Sequence, residues 1–153
     1  MSVIVSLNEF SSSAGRELEP SEWLLIDQDR INQFASATND HQFIHVDPER
    51  AAQSPFGGTI AHGFLTLSLL SYLNGQNIIV PEGMVMGINY GSNKVRYLRP
   101  VNVGDRIRTL QKILEVSQKL PGQWLVKTAV TVEIEHKKKP AMIAETLALY
   151  KVQ

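Results

Sequence analysis

Cysteine is absent from the 153-residue sequence. This absence excludes disulfide bonds, thiolate metal ligands and a cysteine nucleophile, and it favours a reducing, cytoplasmic location. An excess of either charge is also lacking, since Lys+Arg and Asp+Glu number 15 each. A chain without net charge has no long-range field that attracts nucleic acid or an anionic membrane, so we expect neither as a partner.

Long hydrophobic runs are missing as well. The most apolar segment, Ile60 to Leu73, is shorter than the roughly 20 residues that a bilayer span needs. Residues 1–15 lack the basic start and sustained apolar stretch of a signal peptide. No repeat or linker divides the chain, so we expect one soluble domain over residues 1–153.

The first half of the chain carries a helical pattern followed by loop signals. Asp27 or Asp29 can cap a helix whose apolar face includes Ile31 and Ala35. This helix should end near residues 38–40, which prefer turns and caps. Residues 40–58 are predicted to form an ordered loop that contains a short helix starting at Pro48.

A second predicted helix is unusually apolar. No Asp, Glu, Lys or Arg occurs between Ala51 and Pro81. The segment contains one histidine, His62, which is counted as neutral. Within this span Thr59 can cap a helix over residues 60–73, which Asn74-Gly75 would end. Its apolar residues occur on every face, which is typical of a helix buried in a core.

The second half of the chain indicates antiparallel strands. Apolar residues alternate with polar ones from Trp124 to Ile134, a period of two. Further strands are predicted at residues 22–26, 85–97, 105–118 and 141–152. One buried helix and about four antiparallel strands favour an α+β protein with the hot-dog fold, a curved antiparallel sheet wrapped around one central helix.

Asp40 and His45 lie five residues apart in the predicted loop. Addition of water to an activated double bond needs a base that takes a proton from water and an acid that delivers one to the α carbon. A carboxylate and an imidazole suit these two tasks. Taken alone, the spacing is more often that of an aspartate capping a turn and a hydrogen-bonded histidine.

The start of the apolar helix is a second candidate for chemistry. Backbone N–H groups in a first helical turn have no intrahelical partner, so they could bind the negative charge that develops on a thioester oxygen. Gly63 costs about 1 kcal/mol relative to Ala in a helix. Close approach of a ligand and tight helix–strand packing explain it equally well. Ser68 and Ser71 either bond to the preceding turn or face a polar pocket.

Together these segments resemble the MaoC-like dehydratases, which include the (R)-specific enoyl-CoA hydratases and the nodulation protein N group. The hydratase motif of that family appears here from Asp40 through His45 to Pro48, followed by a His-Gly step at His62-Gly63. The resemblance is close over about residues 28–75 and looser in the later strands. Two motifs in the correct order and spacing are far more specific than either alone.

The resemblance implies an enzyme that reversibly hydrates trans-2-enoyl-CoA to (R)-3-hydroxyacyl-CoA. Asp40 and His45 would be the catalytic pair, with Asp40 as the proton donor to the α carbon. Gly63 would supply the oxyanion-hole N–H, and Ser71 would fix the catalytic loop or the ligand. A homodimer with the site near its interface is also implied.

Some assignments depend on weaker signals. Lys94 and Arg96 alternate on one predicted strand and are candidates for binding the phosphates of coenzyme A. No cofactor is expected, because coenzyme A is part of the substrate. His62 is expected to orient the loop, and the four histidines form no obvious ligand set, so no metal is expected.

The family pattern is not reproduced throughout. Asn39 stands where the family often has Gly, but it tolerates the same left-handed conformation. Gln42-Phe43 replaces the family's common Asn-Pro, and Phe43 could narrow the acyl pocket. Two other functions remain open from sequence, a hot-dog acyl-CoA thioesterase and a non-catalytic acyl-binding protein.

Overall fold

The computed structural model describes residues 2–153, which form six helices and eight strands. The helices are α1 (Leu7–Ser11), α2 (Gln28–Thr38), α3 (Phe43–Val46), α4 (Pro48–Ala52), α5 (Gly63–Ser68) and α6 (Leu70–Gly75). The strands are β1 (Val3–Val5), β2 (Glu17–Leu18), β3 (Leu24–Leu25), β4 (Ile79–Pro81), β5 (Met84–Tyr97), β6 (Arg106–Leu120), β7 (Gln123–Ile134) and β8 (Met142–Val152).

The long strands form one antiparallel sheet. Its order is β2-β6-β7-β8-β5, with β3 also paired to β6. The four long strands that the sequence predicted are confirmed, because their alternation places one row of side chains against the helices. The sequence did not predict β1 and β4, which form a separate parallel pair of three residues each.

The central helix consists of α5 and α6 in immediate succession. The N–H of Leu69 donates to the carbonyl of Leu65, and the N–H of Leu73 donates to the carbonyl of Leu69, so the hydrogen bonding continues across the junction. Leu65 and Leu73 are buried in the main core, which joins this helix, α2 and the inner face of the sheet. This arrangement confirms the predicted hot-dog fold.

The predicted start of the central helix is wrong by three residues. The helix begins at Gly63 with His62 in the N-cap position, not at Ile60. The backbone of residues 59–61 is extended instead and bonds to the turn before β6: Ala61 N–H donates to the Val101 carbonyl at 2.8 Å. Thr59 therefore caps nothing, because its neighbours are paired before the helix starts.

The central helix is also less enclosed than its composition predicted. Phe64 is 71% exposed and Tyr72 is also exposed. Strand β5 lies at one edge of the sheet and, within residues 2–153, pairs only with β8. One apolar helix face and one long sheet edge therefore stay open on the single chain. No helix in residues 2–153 is long and apolar enough to cross a membrane.

Candidate active site

The end of α2 positions Asp40. Asp27 caps the start of α2 by accepting a hydrogen bond from Arg30 N–H, as predicted. The helix ends at Asn39, whose φ of 57° is the left-handed conformation expected there. The chain reverses at this residue, so Asp40 leaves the helix with its side chain 52% exposed. The carboxylate is thus accessible to solvent.

His45 is buried close to this carboxylate. It lies in α3, a single helical turn where the sequence predicted only loop. Its ring is 7% exposed, and Nδ1 lies 2.7 Å from the carbonyl oxygen of Ile60. A carbonyl oxygen only accepts, so Nδ1 carries the proton. In the neutral ring the lone pair is therefore on Nε2.

The environment keeps His45 neutral at pH 7. Burial lowers the pKa of the His45 imidazole from its usual 6.5. The hydrogen bond to Ile60 and the charge of Asp40 each raise this pKa, whereas the neighbouring His62 lowers it. The net shift of the pKa is downward. Because the pKa is below 6.5, the unprotonated Nε2 predominates at neutral pH and is available as a base.

His62 is the partner that sequence reasoning underestimated. Its ring is 3% exposed and stacks on the His45 ring, with centroids 3.8 Å apart. Nε2 lies 3.0 Å from the backbone carbonyl of Asp40, so it donates there, while the buried Nδ1 has no partner within residues 2–153. The His-Gly step was the sequence signal for this residue. The sequence predicted that His62 orients the loop, and the hydrogen bond to the Asp40 carbonyl gives that role a physical basis.

The three side chains form one cluster. Ligand atoms of Asp40, His45 and His62 all lie within 4.8 Å of one another. The expectation that the histidines form no grouped set is therefore wrong for two of them. Each ring already uses one nitrogen on a backbone carbonyl. These bonds fix the orientation of both rings, and they leave one nitrogen of each ring and the Asp40 carboxylate for a further ligand.

A second set of hydrogen bonds supports the loop from α2. The amide nitrogen of Gln28 donates to the His45 carbonyl at 2.7 Å. The amide oxygen of the same side chain accepts from the Thr59 hydroxyl. Gln28 thus ties the His45 turn to the segment that precedes the central helix. The sequence carried no recognisable signal for this bridge, because its partners are 17 and 31 residues away.

Gly63 follows His62 and opens the central helix. A Cβ at this position would lie 3.1 Å from the Tyr97 ring, so tight helix–strand packing accounts for the glycine. Within the described chain its N–H has no hydrogen-bond partner. The N–H is therefore free to bind a ligand oxygen beside the cluster.

Ser71 and the two predicted phosphate-binding residues lie outside this cluster. Ser71 lines a cavity between the central helix and the sheet. Lys94 has a φ of 52° at a β-bulge, and its Nζ lies 3.3 Å from the Glu145 carboxylate. Arg96 donates to the carbonyl of Val95. The bulge interrupts the alternation that put Lys94 and Arg96 on one face, and neither residue contacts the cluster.

Comparisons with known proteins agree with this geometry. The model of the MaoC like domain family matches residues 9–138. Nodulation protein N of Rhizobium meliloti is 48% identical over 146 residues, which are 95% of this chain and 91% of that protein. The 3-hydroxyacyl-thioester dehydratase Z of Mycobacterium tuberculosis is 45% identical over 150 residues, 98% of this chain and 99% of that protein.

A solved structure extends the agreement to three dimensions. The R-hydratase of Pseudomonas aeruginosa, in its unliganded form, superposes with a TM-score of 0.72 at 25% identity. The superposition covers 92% of this chain and 83% of that one. Because the family model covers most of the sequence and the relatives align over nearly all of it, the chain belongs to the MaoC-like dehydratase family.

Proposed function

We propose that this protein reversibly hydrates trans-2-enoyl-CoA to (R)-3-hydroxyacyl-CoA. The observation that carries the proposal is the pairing of a solvent-accessible carboxylate with a buried, neutral imidazole. Asp40 and His45 offer ligand atoms within 4.8 Å of each other, a separation that one water molecule can bridge. The dehydratase and R-hydratase relatives support the same reaction class.

The chemistry follows from the protonation of the cluster. His45 Nε2 and the Asp40 carboxyl group hold one water molecule between them. As the water oxygen attacks the β carbon, one water proton passes to the Asp40–His45 pair, and Asp40 delivers that proton to the α carbon, which leaves the pair as it began. Negative charge develops on the thioester oxygen, where the free N–H of Gly63 stabilises it. One water adds across the double bond, and dehydration is the reverse path.

Asp40→Asn tests this assignment. We expect kcat for trans-2-enoyl-CoA hydration to fall by at least about 100-fold, because the amide cannot exchange a proton with the α carbon. The melting temperature should stay unchanged, since the side chain is half exposed and its shortest bond within residues 2–153 is a 3.4 Å contact with Gln42 N–H. Turnover is measured as loss of enoyl absorbance.

Glu49→Gln is the matched control, because it removes an exposed carboxylate near the same loop. Its activity should equal that of the wild type. Release of free thiol instead of enoyl loss would identify a thioesterase. A wild type as inert as Asp40→Asn on every chain length would identify a non-catalytic acyl-binding protein.

The pH dependence of kcat/KM tests the role of His45. His45 is the proposed base, and its pKa is lowered from 6.5. Half of the enzyme is therefore inactivated by protonation of His45 only at a pH below 6.5. We expect the rate to fall on the acid side through a midpoint below 6.5, in a steady-state pH profile. His41→Gln, which replaces an exposed histidine of the same loop, should leave this limb in place. A midpoint at or above 6.5 would contradict the assignment.

Two variants of His62 separate its ring from its hydrogen bond. His62→Phe keeps an aromatic ring beside His45 but removes the donor to the Asp40 carbonyl. We expect kcat to fall roughly 10- to 100-fold with little change in KM, because the carboxylate is then misplaced. His62→Gln keeps an N–H donor and should retain more activity. A larger loss in His62→Gln than in His62→Phe would show that stacking, not the hydrogen bond, matters.

We also propose a homodimer formed through the open edge of β5 and the exposed face of the central helix. An unpaired 14-residue edge strand is a ready template for a second copy. Tyr90 on β5 is 65% exposed, and Tyr90→Lys should shift the sedimentation equilibrium from two chains toward one. Leu120→Lys, at an equally apolar site with 58% exposure on the β6–β7 hairpin, should leave the mass at two chains.

A further inference from the structure

The inner face of the sheet carries a band of polar side chains. Along β7 the inward positions are apolar from Trp124 to Ile134 except for Thr128. Thr128 pairs directly with Thr146 on β8, which pairs in turn with Ser92 on β5. Three hydroxyl groups therefore lie in one row across three strands. A row of this kind interrupts a core that is otherwise built from aliphatic residues.

This polar band forms one wall of a chamber. The chamber has a volume of about 390 Å³ and lies between the central helix and strands β5, β7 and β8. Ser71 and Asn74 line the opposite wall, on α6. Behind them the buried Gln111 donates its amide to the Asn74 backbone carbonyl at 3.2 Å. Polar groups thus line the chamber from the helix and from the sheet.

Part of the polar lining of the chamber has no hydrogen-bond partner within residues 2–153. Within residues 2–153, no hydrogen bond is made by the side-chain hydroxyl groups of four lining residues, Ser71, Ser92, Thr128 and Thr146. The buried side-chain oxygen of Asn74 has no partner in the described chain either. Polar groups that line an open chamber can bond to water, so a ligand that fills the chamber must offer them hydrogen bonds in its place.

The chamber lies along the path of an acyl chain, an argument that rests on the proposed function. It begins at Leu67, four residues beyond Gly63 on the central helix. Ser71 is eight residues beyond Gly63, roughly 12 Å along the helix axis. A thioester whose oxygen lies at the Gly63 N–H can therefore send the distal part of its acyl chain into the chamber.

We propose that the preferred substrate carries a hydrogen-bonding oxygen, a hydroxyl or keto group, on the distal part of its acyl chain. A plain alkyl chain would displace water from the chamber without replacing the lost hydrogen bonds, which weakens its binding. A chain with an oxygen at the depth of Ser71 pairs with the polar band. Sites built to bond a substrate hydroxyl discriminate strongly against the analogue that lacks it.

The test compares matched pairs of substrates. Wild-type protein is assayed with trans-2-decenoyl-CoA and with its omega-hydroxy analogue, and we expect kcat/KM to be at least about 10-fold higher for the hydroxylated chain. Thr128→Val combined with Thr146→Val preserves side-chain shape and strand propensity but removes two hydroxyl groups. This double variant should lower the preference ratio by about 10-fold or more.

Thr131→Val is the control. Thr131 lies on β7 at an outward position, opposite in alternation to Thr128, and its replacement should leave the preference ratio at the wild-type value. Because each variant is judged by a ratio of two substrates, a general loss of activity does not affect the result. Equal kcat/KM for the two wild-type substrates, or an unchanged ratio in the double variant, overturns the proposal.

A second measurement separates this proposal from the hydration chemistry. Calorimetric titration with decanoyl-CoA and omega-hydroxydecanoyl-CoA measures the affinity of the chamber for each chain. Both thioesters are saturated, so no turnover takes place. Tighter binding of the hydroxylated thioester by wild type, lost in the double variant, supports the chamber proposal even if no enoyl thioester is hydrated. If crotonyl-CoA is hydrated but neither measurement shows a preference for the hydroxylated chain, the chamber proposal is wrong. The proposed hydratase activity is then still supported.

Discussion

Two backbone carbonyl groups control the candidate active site. The carbonyl of Ile60 accepts from Nδ1 of His45, and the carbonyl of Asp40 accepts from Nε2 of His62. Because a carbonyl oxygen has no proton to give, each bond fixes a tautomer as well as a ring orientation. The lone pair of His45 is thereby left on Nε2. Without these two bonds, two stacked rings would have no preferred proton arrangement.

Those carbonyls are held in place by parts of the fold that carry no chemistry. Residues 59–61 are extended because they pair with the turn before β6, including a bridge between Ile60 and Asn102. Gln28 on α2 ties the His45 turn to Thr59. The loop that carries Asp40 and His45 is thus attached to a sheet-end turn, to α2 and to the start of the central helix. Preorganisation of this kind lets polar groups act without reorganising during the reaction.

The central helix divides the molecule into two chemical regions. Its amino end lies beside Asp40, His45 and His62, and within residues 2–153 the Gly63 N–H has no hydrogen-bond partner. Its later turns face the polar band of the sheet across a chamber. The alternation of β7 that predicted a strand also contained Thr128 as its one polar inward position. The period of two showed where this side chain points, while the cross-strand register with Thr146 showed that it belongs to a row.

The sequence by itself determined the fold class, the four long strands and the two chemical candidates, because periodicity and short motifs are local properties. Asp27, Asn39 and the Asp40–His45 spacing act within a few residues and could be recognised there. The start of the central helix, the β-bulge at Lys94 and the stacking of His62 on His45 were decided by tertiary structure. Each depends on hydrogen bonds or contacts between segments distant in sequence, and a pattern within one segment carries no information about its distant partner.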